Sequence, residues 1–154
     1  MEREDFVMVK GHETLNDILV VLFNEIMDIE GKAIITGEFR DISNNDMHII
    51  EAVGTGEPKN MSTIAKSLAV TVGTLTTTMN SLVRKGYAIR QRCEEDRRVV
   101  YMSLTDKGKR AFLHHQAFHQ EMIEAVMKGM GDEEEKVLIG SLNRLREFFR
   151  QYHQ

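Results

Sequence analysis

The chain has 154 residues and a mass of 17.7 kDa, which is the size of a single globular domain. Apolar residues make up 42% and charged residues 29%, so the chain can bury a core and remain in solution. The lack of Trp and the aromatic content of 6% argue against a β-sandwich and favour a helical protein. The longest apolar run, residues 18–23, is too short for a membrane-spanning helix.

The N-terminus and the cysteine content predict a cytoplasmic location without membrane contact. The chain begins Met1-Glu2-Arg3-Glu4-Asp5, which is acidic where a secretory signal would be basic. A single cysteine, Cys93, excludes a disulfide framework within the chain.

The net charge of −4 hides an uneven distribution along the chain. Residues 1–60 carry a net charge of −8, residues 61–110 carry +6 and residues 111–154 carry −2. A basic middle segment between acidic ends indicates a localised surface for an anionic partner such as nucleic acid, which the total charge alone would not suggest.

Hydrophobic periodicity predicts four helices, a β-hairpin and two more helices, in that order. The first helix is predicted over about residues 12–36 from apolar residues three and four positions apart: Leu15, Ile18, Leu19, Leu22, Phe23, Ile26 and Ile29. Ser43 and Asp46 form a variant of the capping box before the second helix, which Gly54 and Gly56 end.

Two shorter helices are predicted next. Ser62 begins the third helix, and either Thr71 or Thr74 caps a fourth helix that Gly86 ends. The inner stripe of the fourth helix consists of Leu75, Met79, Leu82 and Val83. Residues 87–92 and 99–104 are rich in β-branched and aromatic side chains and are predicted to be the strands of a hairpin.

Two short helices followed by a hairpin predict a winged helix-turn-helix, whose fourth helix would enter the DNA major groove. The outward face of this helix carries hydroxyl, amide and guanidinium groups that suit phosphates and base edges: Thr71, Thr74, Thr77, Thr78, Asn80, Ser81 and Arg84. A Thr-rich helix is alternatively a poorly stable solvated helix. The basic hairpin directly after it favours the DNA-binding interpretation over a helical interaction module.

The tip of the hairpin carries two arginines. Arg98 is expected to enter a minor groove, where negative potential is focused, and Arg97 to contact phosphate. The alternative is an exposed turn in which the arginines pair with Glu94 and Glu95, an interaction that contributes little.

The last two helices are predicted over about residues 106–128, capped by Thr105 with Asp106, and from Asp132 onward, with Asp132 as the cap. The final helix has a stripe at nearly heptad spacing: Leu138, Leu142, Leu145, Phe149 and Tyr152. This stripe and that of the first helix need more apolar partner surface than one small domain offers, so a homodimer is expected.

The hairpin and its exit resemble the signature of MarR-type regulators: Gly86-Tyr87, Arg90, Arg92, Asp96-Arg97-Arg98-Val99-Val100 and Leu104-Thr105-Asp106-Lys107-Gly108. The resemblance implies a homodimeric repressor that is mainly α with a small β-hairpin wing. It also implies one MarR-type domain over residues 1–154. Residues 43–104 would form the winged helix-turn-helix lobe, and residues 1–36 and 106–154 the dimerisation helices.

Within that family, further stretches are similar to the FabT-type repressors of fatty-acid biosynthesis: Asp46-Met47-His48, Val70-Thr71-Val72-Gly73-Thr74-Leu75-Thr76-Thr77, Arg84-Lys85-Gly86-Tyr87, His115 and Phe118-His119. This similarity implies an operator near fatty-acid synthesis genes and an acyl-(acyl carrier protein) as effector. The acidic carrier is expected to dock on basic residues such as Lys66, Arg84 or Lys109. The chain departs from that group in its longer acidic lead, residues 1–11.

The histidines support an alternative, a zinc- or small-molecule-responsive repressor on the same scaffold. His115 and His119 are four residues apart on one helix face, a spacing found in metal-ligand pairs. His48 would join them, with a carboxylate from Glu30 or Glu38. Two histidines at this spacing more often lie in a polar interface, so neither a metal nor a cofactor is predicted.

No enzyme motif occurs in the chain, such as a phosphate-binding glycine loop, GxSxG or HExxH, and no catalytic activity is predicted. The ten methionines are typical of an adaptable apolar cavity, although most methionines belong to an ordinary core. From the helix faces alone, the expected walls of an acyl cavity are Met27, Ile34, Met47, Ile50, Met122 and Val126.

Overall fold

The structure is a computed structural model that describes residues 2–34, 37–92 and 99–151, without the side chains of residues 2–10 and 34. The described residues form six α-helices, a short 3₁₀ helix (Gly37–Phe39) and three strands: α1 (Glu2–Ile34), α2 (Asn44–Val53), β1 (Lys59–Asn60), α3 (Met61–Ser67), α4 (Val72–Arg84), β2 (Ala88–Arg92), β3 (Val100–Leu104), α5 (Asp106–Met127) and α6 (Asp132–Arg150). The predicted class, mainly helical with a small hairpin, is confirmed, as is the order of its elements.

The chain divides into two compact units, Met1–Phe118 and His119–Gln154, with the boundary inside α5. The first unit holds the helix-turn-helix and the sheet. The second holds the end of α5 and all of α6.

Local capping determines where α2 begins and ends. The Ser43 hydroxyl accepts a hydrogen bond from the Asp46 backbone N–H at 3.2 Å, and the Asp46 carboxylate accepts one from the Ser43 N–H at 3.1 Å. At the other end, Gly54 has a φ of 71°, and its N–H bonds the carbonyl of Ile50. The capping box and the glycine stop predicted from the sequence are therefore confirmed.

The turn between α3 and α4 has a geometry that the sequence did not indicate. Ala69 adopts a φ of 54°, a left-handed conformation that usually requires glycine. Its N–H bonds the carbonyl of Lys66 at 3.2 Å, and the Val70 N–H bonds the carbonyl of Ala65 at 3.0 Å. This pair of hydrogen bonds closes α3 and redirects the chain into α4.

Three boundaries predicted from the sequence were wrong. The first helix begins at Glu2 rather than near residue 12, because the acidic lead continues the helix. The third begins at Met61, since the side chain of Asn60 rather than Ser62 provides the cap. The last helix is preceded by Gly131 as its cap rather than by Asp132. For α4, the first of the two predicted caps is confirmed, since the helix begins directly after Thr71, which excludes Thr74.

The sheet has the order β1-β3-β2 and is antiparallel throughout. Arg90 lies opposite Met102, and Lys59 pairs with Met102 from the other side. The two-residue strand β1 was not predicted, because a strand this short has no periodicity of its own. It attaches the start of α3 to the hairpin.

The core of the first unit lies beneath the helix-turn-helix and joins α2, α3, α4, the sheet and the start of α5. Its buried apolar residues are Phe39, Ile42, Met47, Ile49, Ile50, Val53, Ile64, Ala65, Leu75, Met79, Leu82, Tyr87, Ala88, Met102, Leu104 and Ala111.

A close backbone approach explains the Leu104-Thr105-x-x-Gly108 pattern at the exit of the hairpin. A Cβ on Gly108 would lie 2.0 Å from the carbonyl oxygen of Tyr87. The Thr105 hydroxyl donates a hydrogen bond to the carbonyl of Gly86 at 2.5 Å and accepts one from the Gly108 N–H at 3.1 Å. Only glycine allows the first turn of α5 to lie this close to the backbone of Tyr87.

The apolar stripes of α1 and α6 are largely exposed in the single chain. Ile18 and Phe23 of α1 are 52% and 66% exposed, and Leu142 and Phe149 of α6 are 52% and 55% exposed. None of the residues of α6 is buried. No helix in the described part of the chain is long and apolar enough to cross a membrane.

Candidate nucleic-acid interface

The segment from α3 to β2 is free of acidic residues. Residues 61–92 contain five Lys or Arg and no Asp or Glu. They form the helix-turn-helix and the first strand of the hairpin. This part of the surface therefore offers cations and polar groups to an anionic partner with no carboxylate of its own to repel it.

The fourth helix has one buried face and one exposed face, as predicted. Leu75, Met79 and Leu82 are buried, and Val83 is half-buried. The predicted outward residues Thr71, Thr74, Thr77, Asn80 and Arg84 are all exposed, while Thr78 and Ser81 are half-buried at the edges of that face.

Two of these polar groups already have partners within the helix. The Thr71 hydroxyl accepts a hydrogen bond from the Thr74 N–H at 3.1 Å and lies 2.9 Å from the Thr74 hydroxyl. Thr71 is thus the N-cap of α4, and its hydroxyl holds the first turn. The helix N-terminus, which favours negative charge, opens toward solvent at this point.

Asn80 has a partner that sequence analysis missed. Its side-chain oxygen accepts a hydrogen bond from the guanidinium of Arg90 on β2. Both side chains are exposed, so the contact ties the exposed face of α4 to the hairpin at the surface. Arg90 was recognised only as part of the hairpin signature, because ten residues and a turn separate it from Asn80.

The predicted residues of the hairpin tip, Arg97 and Arg98, lie outside the described residues, as does Cys93. At the base of the hairpin, Arg92 is exposed and lies opposite Val100.

Ion pairs fix the base of the hairpin and the end of α4. Lys85 bonds the largely buried carboxylate of Asp46 at 3.0 Å, which joins α4 to α2. Lys107 lies 4.1 Å from the centre of the Tyr87 ring and 3.4 Å from Asp41. These contacts tie the end of α4 to α2, and the start of α5 to Tyr87 at the base of the hairpin.

The hydroxyl of Tyr87 donates a 2.6 Å hydrogen bond to Asp41. This bond, with a smaller contribution from Lys107, lowers the pKa of the Asp41 carboxyl below its ordinary value. Burial raises the pKa of Tyr87 well above its ordinary value, and the Asp41 carboxylate raises it further. The tyrosine therefore stays a neutral donor at physiological pH.

Among the histidines, His115 is fully buried in the first unit between two carboxylates. Its Nε2 lies 2.6 Å from buried Glu30 of α1, and its Nδ1 lies 2.7 Å from Glu51 of α2. His48 Nδ1 is 3.5 Å from Glu51, and its ring meets that of His115 edge-on at 6.4 Å. His115 thereby links α5 to α1 and α2.

Glu38 and His119 are the other residues considered for a metal site from the sequence. Glu38 forms an ion pair with Arg110 on α5, which lowers the pKa of its carboxyl. His119 is half-buried and belongs to the second unit.

The residues expected to line an acyl cavity fall into different environments. Met47 and Ile50 are buried in the core of the first unit, and Met27 is 39% exposed on α1. The Ile34 side chain lies outside the described residues. In the second unit, Met122 is half-buried and Val126 is exposed.

An open groove of about 650 Å³ lies between α2 and the α3–α4 turn. His48 and Glu51 line one wall, and Val70, Thr74 and Thr78 line the other. The groove thus adjoins both the histidine–carboxylate cluster and the first half of α4.

Comparison with known proteins agrees with this geometry. Residues 42–100, which include the helix-turn-helix, β2 and the first residue of β3, match the model of the MarR family. The chain is 38% identical to FabT of Streptococcus pneumoniae, whose crystal structure contains DNA. The match covers 92% of this chain and 99% of that one, with a TM-score of 0.84.

Two curated relatives from Bacillus subtilis match about half of the chain. The HTH-type transcriptional repressor YetL is 33% identical over 84 residues, which are 54% of this chain and 50% of YetL. The HTH-type transcriptional regulator YhjH is 27% identical over 85 residues, which are 55% of this chain and 49% of YhjH. The chain thus spans about half the length of these relatives.

Proposed function

This chain belongs to the MarR family, and we propose that it is a homodimeric, DNA-binding transcriptional repressor that controls genes of fatty-acid biosynthesis. The winged helix-turn-helix would bind a double-stranded operator, and α1 and α6 would contribute to the dimer interface. The chain is proposed to have no catalytic role.

The acid-free segment of residues 61–92 is the observation that supports DNA binding best. Its helix α4 exposes Thr74, Thr77 and Arg84 on the side opposite the buried stripe. A single helix fits the major groove, which is about 12 Å wide. Hydroxyl groups and a guanidinium on that face suit phosphate oxygens and base edges.

The exposed stripes of α1 and α6 support a dimer, because a lone chain would leave these apolar side chains in water. In a symmetric dimer the two copies of α4 would lie about 34 Å apart, one turn of DNA, and the operator would be a palindrome.

A salt titration of DNA binding tests the proposal. A duplex is selected from a random-sequence pool by binding to the wild-type protein, and its affinity is measured by fluorescence anisotropy at increasing KCl. We expect tight binding. The logarithm of the association constant should fall linearly with the logarithm of the KCl concentration, with a slope of about −0.9 for each phosphate contact. Failure to enrich any duplex would contradict a DNA-binding function.

The two arginines of the hairpin tip provide a second test. Replacing Arg98 or Arg97 with Ala should weaken binding and lower the salt slope by about one unit for each lost phosphate contact. Gln91→Ala, an uncharged exposed change on the adjacent strand, is the control. An unchanged affinity in both arginine variants would show that the tip does not contact DNA.

For the effector, we propose an acyl chain delivered by an acyl carrier protein. The similarity to FabT of Streptococcus pneumoniae over nearly the whole chain supports a role in fatty-acid regulation. An apolar cavity would bind the chain with about 0.8 kcal/mol for each buried methylene. The acidic carrier would dock on exposed cations, of which Lys66, Arg84 and Lys109 are candidates.

A repressor that responds to zinc or to a small molecule is the second candidate. The groove beside α4 favours the small-molecule form, because a ligand there would contact Thr74 and Thr78 directly. The zinc form is supported by His115, since one of its ring nitrogens can donate to Glu51 while the other faces the Glu30 carboxylate, each within 2.7 Å. A metal ligand needs one nitrogen free of its proton and directed at the ion.

One titration separates the effectors. Affinity for the selected duplex is measured with palmitoyl-(acyl carrier protein) and separately with zinc chloride, in the wild type, His115→Ala and His48→Ala. We expect only the acyl carrier protein to change the affinity. His48→Ala is included because it replaces an exposed part of the cluster, whereas loss of His115 removes a hydrogen-bond partner from the buried Glu30 carboxylate. A response to zinc alone that either substitution abolishes would overturn the acyl proposal.

A further inference from the structure

The contact between Asn80 and Arg90 has consequences for how the protein would bind DNA. Asn80 is exposed on α4, opposite the buried stripe of Leu75, Met79 and Leu82. Its side-chain oxygen accepts a hydrogen bond from Nη2 of Arg90. The guanidinium therefore lies beside the α4 face that is proposed to enter the major groove.

Arg90 has no carboxylate partner in the described part of the chain. The segment 61–92 contains no Asp or Glu, and the facing strand, Val100–Leu104, contains none either. The cross-strand neighbour of Arg90 is Met102. A guanidinium has five N–H donors in a planar fork, and a neutral amide oxygen takes only one of them. The remaining donors suit an anion.

The same contact limits what Asn80 can recognise. Bidentate reading of adenine requires the side-chain oxygen of Asn as an acceptor and its NH₂ group as a donor. Because the oxygen of Asn80 already accepts a hydrogen bond from Arg90, a base edge would have to compete with the guanidinium for that acceptor. The bond therefore favours a positioning role for Asn80 over direct reading of base edges.

We propose that Arg90 is a further DNA-contacting residue, which binds a backbone phosphate at the rim of the major groove, and that Asn80 is its positioning residue. The inference rests on the proposed DNA-binding function. In helix-turn-helix proteins the N-terminal residues of the recognition helix reach the base edges. Asn80 lies in the second half of α4, so a side chain held there meets the sugar–phosphate backbone instead.

The test compares variants on two duplexes, the selected duplex and an unrelated one of equal length, across a range of KCl. Arg90→Ala should weaken binding to both by a similar factor. The salt slope should fall by about 0.9, or by about 1.8 if both protomers lose a contact. Arg90→Lys should keep most of the slope. Arg144→Ala on α6 removes an equal charge elsewhere and should leave affinity and slope unchanged.

A double-mutant cycle tests the role of Asn80. Asn80→Ala should reduce affinity in the wild type, yet have little further effect in the Arg90→Ala background. Independent, additive losses would overturn the positioning role. An unchanged slope in Arg90→Ala, or a loss confined to the selected duplex, would overturn the phosphate contact. A wild type that binds neither duplex would instead contradict the proposed function, and thermal melting confirms that each variant is folded.

Discussion

The helix-turn-helix region and the terminal helices differ in how they use their apolar residues. Residues from Phe39 to Ala111 close a core of their own, in which Met47, Leu75 and Met102 are almost completely buried. Along α1, in contrast, the apolar stripe is mostly exposed, and α6 buries none of its residues. The periodicity that identified both kinds of helix does not distinguish a helix that packs within the chain from one that needs a partner.

This difference assigns separate roles to the two regions. The closed core can hold α4 and the hairpin in a fixed geometry without help from another chain, as a recognition surface requires. The exposed stripes are suited to joining two copies, because symmetric assembly would bury them without any further segment. Substitutions in the terminal helices should therefore act on assembly, and substitutions in the core region on folding.

The largest effect is expected for a charge in the α6 stripe. Leu142→Glu should weaken the proposed dimer by about 4 kcal/mol, since in each of two protomers the 52% exposed leucine would lose about 1 kcal/mol of burial and the new carboxylate would cost at least as much to desolvate. Sedimentation equilibrium should then detect monomers where the wild type is dimeric. Glu147→Ala, on the same helix, is the control. A monomeric wild type at micromolar concentration would contradict the assembly role assigned to the terminal helices.

A smaller but still severe effect is expected inside the first unit. Gly108→Ala places a Cβ 2.0 Å from the carbonyl oxygen of Tyr87, so the start of α5 must move away. We expect a loss of about 3 kcal/mol in the free energy of unfolding, at the upper end of overpacking. Urea denaturation measures it.

Gly140→Ala in α6 is the matched control, because its Cβ would approach no atom closer than the flexible end of Arg144 at 4.0 Å. Helix propensity predicts a gain of about 0.5–1 kcal/mol there. Equal effects of the two alanines would mean that the close approach at Gly108 does not constrain the fold.

How well the sequence predicts a structural feature depends on how far apart along the chain the interacting residues lie. The capping box of Ser43 and the stop at Gly54 depend on residues within four positions, and both were correctly predicted. The two-residue strand β1 and the burial of His115 between Glu30 and Glu51 depend on partners from distant segments. No local pattern indicates such contacts.

The candidate interface shows the same division. The exposed polar face of α4 follows from helical periodicity and was predicted, apart from the half-burial of Thr78 and Ser81. The bond from Arg90 to Asn80 was not, because it depends on how the hairpin folds back on the helix.

A pH-dependent effect is expected where the hairpin base meets Asp41. Tyr87→Phe removes the hydrogen bond that chiefly lowers the Asp41 pKa, so that pKa should rise toward its ordinary value. Because the folded-state pKa is depressed, the bond stabilises the protein above the unfolded pKa of about 3.9 and is lost as the pH falls through the folded value. We expect a deficit of about 1 kcal/mol at pH 7.

That deficit should begin to shrink below about pH 4 and disappear only below the depressed folded-state pKa of Asp41, where the carboxyl is protonated in both proteins. Urea denaturation across pH 2–7 measures the free energy of unfolding of each protein, and NMR titration of the Asp41 carboxyl measures its pKa. A deficit that persists unchanged at acid pH would mean that the phenol contributes through packing alone, and that the carboxylate does not anchor the hairpin.

The smallest effect is expected at the turn of the helix-turn-helix. Ala69 has a φ of 54°, which costs a residue with a Cβ about 1–2 kcal/mol relative to glycine. Ala69→Gly relieves this strain but adds about 0.5–1 kcal/mol of backbone entropy in the unfolded chain. The net result should be a gain of about 0.5 kcal/mol in the free energy of unfolding, with DNA affinity unchanged, since the turn's two backbone hydrogen bonds are kept.

Ala65→Gly in the preceding helix is the matched control: it has ordinary helical geometry and should lose about 1 kcal/mol or more. A loss of stability at both positions would show that the left-handed turn at Ala69 does not form in solution. The close packing of α3 against α4 would then need a different explanation.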